Sequence, residues 1–224
     1  MAKQRGVFMD ESELKAIASQ LSCPEGEGGI EMGNKMNLLN HFITSRTLEA
    51  LSPQSDEVIA EIGPGNGALS ESLVKTLGAN GKYYGIELSE VMANEARLRL
   101  SEGDCAVDII CNDCANANIP KISLDGIMAV NLLYFIENID ELFSLVNQWM
   151  KPGARAVFGI RSEQSLNSLP FTQYGFNVRS ADEIKACMRN NGFSDVESNY
   201  YDEGTVMLGD LPLPVDSIII KGRK

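Results

Sequence analysis

The feature that most constrains this chain is a short apolar run, Val58 to Ile62, that ends in Gly63-Pro64-Gly65-Asn66-Gly67. A short apolar run bounded by turn residues reads as a buried strand. The glycines after it let the backbone turn sharply and come close to a ligand. Helix and strand patterns alternate from there. A helix is expected over Ala68 to Leu77, a strand over Lys82 to Leu88, and a helix capped by Ser89 and running to Leu100. Strands follow over Ala106 to Cys111 and Gly126 to Val130, then a helix over Ile139 to Met150 stopped by Lys151-Pro152-Gly153, then a strand over Ala154 to Ile160. Such alternation builds βαβ units, so the fold class is α/β with a doubly wound, mostly parallel sheet. Right-handed crossovers then cover both faces with helices.

Two helical patterns precede the sheet, Asp10 to Leu21 and Gly33 to Leu51, with a predicted loop over Cys23 to Gly29 between them. Beyond it, Ser180 and Glu183 form a capping-box pattern for a helix ending at Asn191. Asp195 to Tyr201 and Val215 to Lys221 read as two strands with no helix between them, joined by a Gly/Pro-punctuated loop. That predicts an antiparallel hairpin at one sheet edge. The expected organisation is an N-terminal helical cap over residues 1–52 and a ligand-binding domain over 53–224, forming one structural unit.

Composition excludes several function classes. The formal net charge is −12, and the only basic cluster is Lys221-Gly222-Arg223-Lys224. A surface that tracks a polyphosphate backbone needs the opposite balance, so nucleic acid is not the expected partner. The N-terminus lacks the apolar core of a secretory signal. The apolar stretch near Ile127 to Ile136 is shorter than the ~20 residues of a membrane span. Five cysteines, an odd number in a long chain, do not form a disulfide framework, which points to a reducing, cytoplasmic location. The single histidine, His41, removes most zinc and iron sites, and no metal is expected.

The chemistry concentrates at strand ends. Gly63, Gly65 and Ala68 satisfy G-x-G-x-x-A, the dinucleotide pattern. Glu61 opposes a pyrophosphate there, because two like charges in a poorly solvated crevice repel. Pro64 removes an N–H that could cradle phosphate. A ligand with a cationic end, an ammonium or a sulfonium, suits Glu61 better. Glu87 ends the second strand, about 20 residues after the glycine turn, where an acid accepts ribose hydroxyls. Asp113, in Asn112-Asp113-Cys114 after the third strand, can accept from an adenine amine. Cys111 and Cys114 form C-x-x-C without the helix-opening context of a redox pair or a second ligand pair for zinc.

In order and spacing, these residues resemble the motifs of class I S-adenosylmethionine-dependent methyltransferases. Leu124-Asp125-Gly126-Ile127 leading to Asn131 continues the match, and Lys151-Pro152-Gly153-Ala154-Arg155 is similar to the turn before that family's fifth strand, with Ala154 in place of its usual Gly. The resemblance covers roughly Val58 to Ile160. It implies a seven-stranded Rossmann-like sheet with the last strand antiparallel. It also implies S-adenosylmethionine as cofactor, with Glu61, Gly63, Pro64, Gly65, Asn66 and Gly67 around the methionine part. On the same basis Glu87 binds the ribose, Leu88 lies beside the adenine, and Asp113 meets the adenine amine, flanked by Asn112 and Cys114. Asn131 lies beside the methionine end. Pro24, Gly26, Gly33, Met36, Asn37 and Asn40, with Phe171 to Phe176, resemble the cap of small-molecule members.

The expected reaction is methyl transfer to a small organic acceptor by in-line displacement, which asks mainly for alignment and exclusion of water. Candidates near the pocket mouth are His41, Tyr134, Arg161 and Tyr174. Asn37 and His41 are i,i+4 on one helix face that begins at Gly33, a face placed to form a lid. Asn131-Leu132-Leu133-Tyr134 lacks the prolines of the N-P-P-Y motif of amino-directed nucleic-acid enzymes. The alternatives are a nucleic-acid or protein methyltransferase, an NAD(P)-dependent oxidoreductase, and a non-catalytic cofactor-binding protein. The acceptor and the oligomeric state are not legible.

Overall fold

The computed structural model describes residues 10–208 and 211–224. Residues 1–9 of the expected cap, and residues 209–210 of the expected last loop, lie outside the described residues. The first helix, α1 (Glu11–Ser22), starts at a capping box between Asp10 and Glu13 and buries Leu14 and Ala18. The second, α2 (Gly26–Leu51), begins seven residues before the expected Gly33. The predicted Cys23–Gly29 loop is therefore only Cys23 to Glu25. Gly29 is buried in the first turns of α2, where a Cβ would lie 2.9 Å from the Pro24 carbonyl carbon. Gly29, read as a loop residue, instead allows close packing at a helix start.

The strands are β1 (Val58–Ile62), β2 (Lys82–Glu87), β3 (Ala106–Cys111), β4 (Leu124–Val130), β5 (Met150–Ile160), β6 (Ser194–Leu208) and β7 (Leu211–Arg223). The helices between them are α3 (Glu71–Leu77), α4 (Glu90–Leu100), α5 (Ile139–Trp149), α6 (Glu163–Asn167) and α7 (Ala181–Asn190). All seven strands form one sheet in the order β3-β2-β1-β4-β5-β7-β6. Strands β1 to β5 are parallel, and β7 runs antiparallel to both β5 and β6. The expected fold class is thus the observed one.

Alternate strand residues feed two cores. Ala60, Ile127, Ala156 and Ile220 pack with Phe143, Val146 and Ile184 of α5 and α7. Ile59, Met128, Val157 and Ile219 pack with Ile43 and Leu51 of α2 and with α3 and α4. This is the period-two alternation of a sheet covered on both faces. Helix α2 therefore supplies core side chains to the sheet. It comes close enough to β5 that a Cβ at Gly159 would stand 2.6 Å from Thr47 Oγ1.

Other boundaries also differ from the sequence expectation. Helix α3 starts at Glu71 rather than Ala68, because residues 68–70 complete the glycine turn. Lys151-Pro152-Gly153 does not simply stop α5. It forms a register shift inside β5, with Gly153 at φ 81° donating to the Lys224 carbonyl. The expected loop between the last strands is strand: β6 and β7 stay paired from Tyr201↔Ser217 to Leu208↔Leu211, beyond the last β5 partner at Ile218. This arm passes the C-terminal end of β5, on the side of the sheet where open α/β folds bind ligands.

Candidate functional site

The glycine turn leaves β1 with Gly63, Gly65 and Gly67 all at positive φ (74°, 58° and 77°), a conformation that L side chains rarely adopt. At Gly67 a Cβ would also stand 3.2 Å from the backbone of Ala96, so the turn lies directly on α4. Glu61, just before the turn, is 4 % exposed. Its Oε2 accepts from Ser70 Oγ (2.6 Å) and Tyr83 Oη (2.7 Å). Burial pushes its carboxyl above the usual range against those two donors, and the charge of Glu87 pushes the same way.

Glu87, at the end of β2, is 6 % exposed. Its Oε2 accepts from Gly65 N and its Oε1 from Ser89 N, each at 2.9 Å. Burial raises its pKa although these backbone donors oppose the shift. The carboxylate therefore ties the glycine turn to the start of α4 and keeps lone pairs free for further donors. Leu88 beside it is exposed. After β3, Asp113 caps a 3-10 turn over Cys114–Asn116, with Oδ1 accepting from Ala115 N at 2.8 Å. Asn112 and Asp113 are exposed, and the Asn112 N–H donates to the Glu87 carbonyl. Burial and the neighbouring Asp113 push the Cys114 thiol up to about 11. Cys111 and Cys114 are both free thiols.

Helix α2 crosses this edge and reaches it through asparagines. Asn37 Nδ2 donates to Asn66 Oδ1 (3.1 Å), and Asn66 Nδ2 donates to Asn34 Oδ1 (3.2 Å). Asn131 Nδ2, after β4, donates to Asn40 Oδ1 (2.9 Å). The three α2 residues are spaced i, i+3, i+6 and so share a face. A Cβ at Gly33 would stand 2.8 Å from Met92 Sδ of α4, so that face does begin at a close approach. The cover continues into the α1–α2 connection, where Ser89 Oγ donates to the Pro24 carbonyl. The cap pattern of the sequence contained Asn37 and Asn40. It missed Asn34 and the hydroxyl partners Ser70 and Tyr83, since only the folded chain brings those beside Glu61.

The four acceptor-side candidates separate. Arg161 is a structural tie, contrary to expectation. Its guanidinium donates to Glu203, to the Asp216 carbonyl, to Ser217 Oγ and to the Leu39 carbonyl. The pair with Glu203 is nearly buried, which leaves the cation no free role in proton transfer. Tyr134 lies in a 3-10 turn (Leu133–Phe135), buried, with its ring stacked on Phe176 at 5.2 Å and edge-on to Phe135 at 4.9 Å. Burial pushes its hydroxyl far above the usual phenol range, against the opposing charge of Arg161. Tyr174 is half-buried beneath α1, with Lys15 Nζ 5.4 Å from its ring centre. His41 is exposed on α2, one residue past Asn40. Among the described residues, no group of three or more His, Cys, Asp and Glu side chains is arranged to hold a metal.

A sheet whose glycine turn, strand-end carboxylate and last antiparallel strand fall in these places has the class I methyltransferase architecture. Residues 59–153 match the family model described as a methyltransferase domain. That match stands on the S-adenosylmethionine side of the two ligand classes that the glycine turn alone left open. No curated protein matches the sequence. Solved structures match the fold at low identity. One is a putative methyltransferase in complex with the Trm112 methyltransferase activator of Haloferax volcanii (16 % identity, TM-score 0.72, 96 % of this chain and 98 % of that one). Another is a possible histamine N-methyltransferase from Thermotoga maritima (20 %, 0.63, 87 % and 95 %). A third is phosphoethanolamine N-methyltransferase 2 of Haemonchus contortus in complex with S-adenosyl-L-methionine (16 %, 0.64, 80 % and 52 %).

Proposed function

We propose that this chain transfers the methyl group of S-adenosylmethionine to a small organic acceptor, with the cofactor across the β1 and β2 ends beneath α2. The observation that carries this reading is the carboxylate of Glu87, held by Gly65 N and Ser89 N at the mouth of the glycine turn. A fixed carboxylate there can accept both hydroxyls of a ribose diol through charge-assisted bonds. In this reading Gly63 to Gly67 face the methionine part, with Asn131 beside it. Leu88, Asn112, Asp113 and Cys114 border the adenine. Glu61 acts from beneath the turn, holding Ser70 and Tyr83 and lending negative potential to the cationic end of the ligand. The cover of α2, bonded through Asn37 and Asn40 to the glycine turn and the end of β4, supports a small acceptor. The net charge of −12 also disfavours polyanions.

The enzyme's own contribution is alignment and exclusion of water, while the cofactor supplies an activated methyl group. Calorimetric titration with S-adenosylhomocysteine tests the reading, with micromolar binding expected. Glu87→Ala is expected to weaken that binding about a hundredfold, on the scale of charge-assisted bonds, whereas the remote Asn199→Ala leaves it unchanged. No binding at millimolar ligand, or tighter binding of NAD, would overturn it. All five cysteines are free, which supports a reducing, cytoplasmic location. No helix among the described residues is long and apolar enough to cross a membrane.

A further inference from the structure

Helices α3 and α4 leave a cleft of about 680 Å³ between them. Glu71, Val74 and Lys75 of α3 line one wall, and Glu95, Leu98 and Arg99 of α4 line the other. Both sets recur at i, i+3, i+4, so each wall is one continuous helix face. Glu102 and Asp104 close the rim just beyond α4. Val74 and Leu100 are buried in the floor, while Leu98 stands 72 % exposed. The cleft is also acidic. Arg99 is engaged, with Nη1 on Glu71 at 3.2 Å and Nε on the Asn66 carbonyl at 3.1 Å. Glu95, Glu102 and Asp104 pair with no cation among the described residues. Three open carboxylates therefore face Lys75 alone.

We propose that the α3–α4 cleft docks a lysine- or arginine-rich amphipathic helical segment of another protein. Its cations would face Glu95, Glu102 and Asp104, and an apolar side chain would cover Leu98. The inference does not rest on the methyltransferase reading, since none of the residues assigned to the cofactor lines the cleft. Two helix faces flanking a groove can seat a third helix through anchors at the same spacing. Complementary charge supplies the selectivity and the approach, and the net charge of −12 adds a field that draws basic partners. A second copy of this chain fits poorly. Its basic cluster is already engaged: Lys221 pairs with Glu197, Arg223 donates to the Gly153 carbonyl, and Lys224 Nζ donates to the Asn147 and Met150 carbonyls. A free polyamine would satisfy the carboxylates but leave Leu98 uncovered.

The probe is a fluorescein-labelled helical peptide of repeated Lys-Leu-Ala-Lys units, titrated with the full chain and followed by anisotropy. A peptide of Glu-Leu-Ala-Glu units is the control. The lysine peptide is expected to bind and the glutamate peptide is not. Reversing the rim with Glu95→Lys and Glu102→Lys together should weaken binding about tenfold or more, and Leu98→Ser about threefold. Glu102→Lys alone, in the exposed turn after α4, should weaken it about threefold and keeps the test open if the double variant does not fold. Glu27→Lys with Glu163→Lys changes the net charge equally but lies outside the cleft, and should leave the affinity within about twofold. No binding of the lysine peptide, or an equal loss in this control pair, would overturn the proposal. Spermine that binds as tightly as the peptide would overturn it by assigning the carboxylates to a small polyamine. Self-association of the wild type that the rim variants abolish would overturn it by assigning the cleft to a second copy.

Discussion

The two ends of the ligand edge are built in different ways. At the β1–β2 end the ties are short in sequence: Ser70 to Glu61 spans 9 residues and Gly65 to Glu87 spans 22. At the β4–β5 end they are long: Asn131 to Asn40 spans 91 residues and Arg161 to Leu39 spans 122. At the first end both carboxylates are tied within one βαβ unit, and the cover joins it at Asn66 and Ser89, so the carboxylate chemistry is carried by a contiguous motif. The second is assembled from the cover helices, the strand ends and the β6–β7 arm. Cofactor contacts can thus stay in place while the acceptor side is rebuilt from distant segments.

That contrast can be broken by mutation, and the largest effect should come from the long-range end. Arg161→Met leaves Glu203 buried without its partner, and removing one member of a buried pair typically costs about 3–5 kcal/mol. Urea unfolding should register a loss of that order, whereas Glu87→Ala should lose far more cofactor affinity than stability. If Arg161→Met unfolds at the wild-type midpoint, the tie between α2 and the arm is not structural.

A smaller loss is expected where α2 meets β5. Gly159→Ala would press a methyl group into Thr47 and Ile43, and overpacking of this kind costs about 1–3 kcal/mol. The same unfolding experiment reads it. Next comes Asn37→Ala, which removes one amide bond from the glycine turn. Such a bond is worth about 1 kcal/mol, so S-adenosylhomocysteine affinity should fall roughly fivefold while the unfolding midpoint moves little. An unchanged affinity would mean that the asparagine face covers the site without helping to hold the ligand.

The smallest effect concerns pH. Burial raises the Glu61 pKa in the fold, so its contribution to stability is fully present below the ordinary glutamate range. It is lost as pH rises through the raised value. Wild-type protein should therefore lose stability between acid and neutral pH relative to Glu61→Gln, which keeps an acceptor for Ser70 and Tyr83 but cannot ionise. Paired unfolding curves across that range measure the difference. Identical slopes would show that Glu61 is not penalised by its burial.

The legible parts of the molecule were those in which neighbours in sequence are neighbours in space. Val58–Ile62 and Ala106–Cys111 were read to the residue, and the caps at Ser89 and Ser180 are both in place. The failures fell where tertiary contact overrode local preference. Gly26, Gly28 and Gly29 look like a loop, yet they start a helix, and of the three Gly29 lies close against Pro24. The Gly/Pro stretch after Tyr201 looks like a connection, yet pairing between β6 and β7 holds it extended. Arg161 looked available for chemistry because its four partners come from three distant segments.

By itself, the sequence determined the parallel α/β plan, the glycine turn and the strand-end acid. Each follows from local patterning, backbone freedom and charge within a single βαβ unit. Only the tertiary structure decided which polar groups are already bonded and which remains open. Hydrogen-bond satisfaction is settled by whatever the fold brings within about 3 Å. It ties Arg161 to four partners and leaves Asn131 Oδ1 buried with none among the described residues.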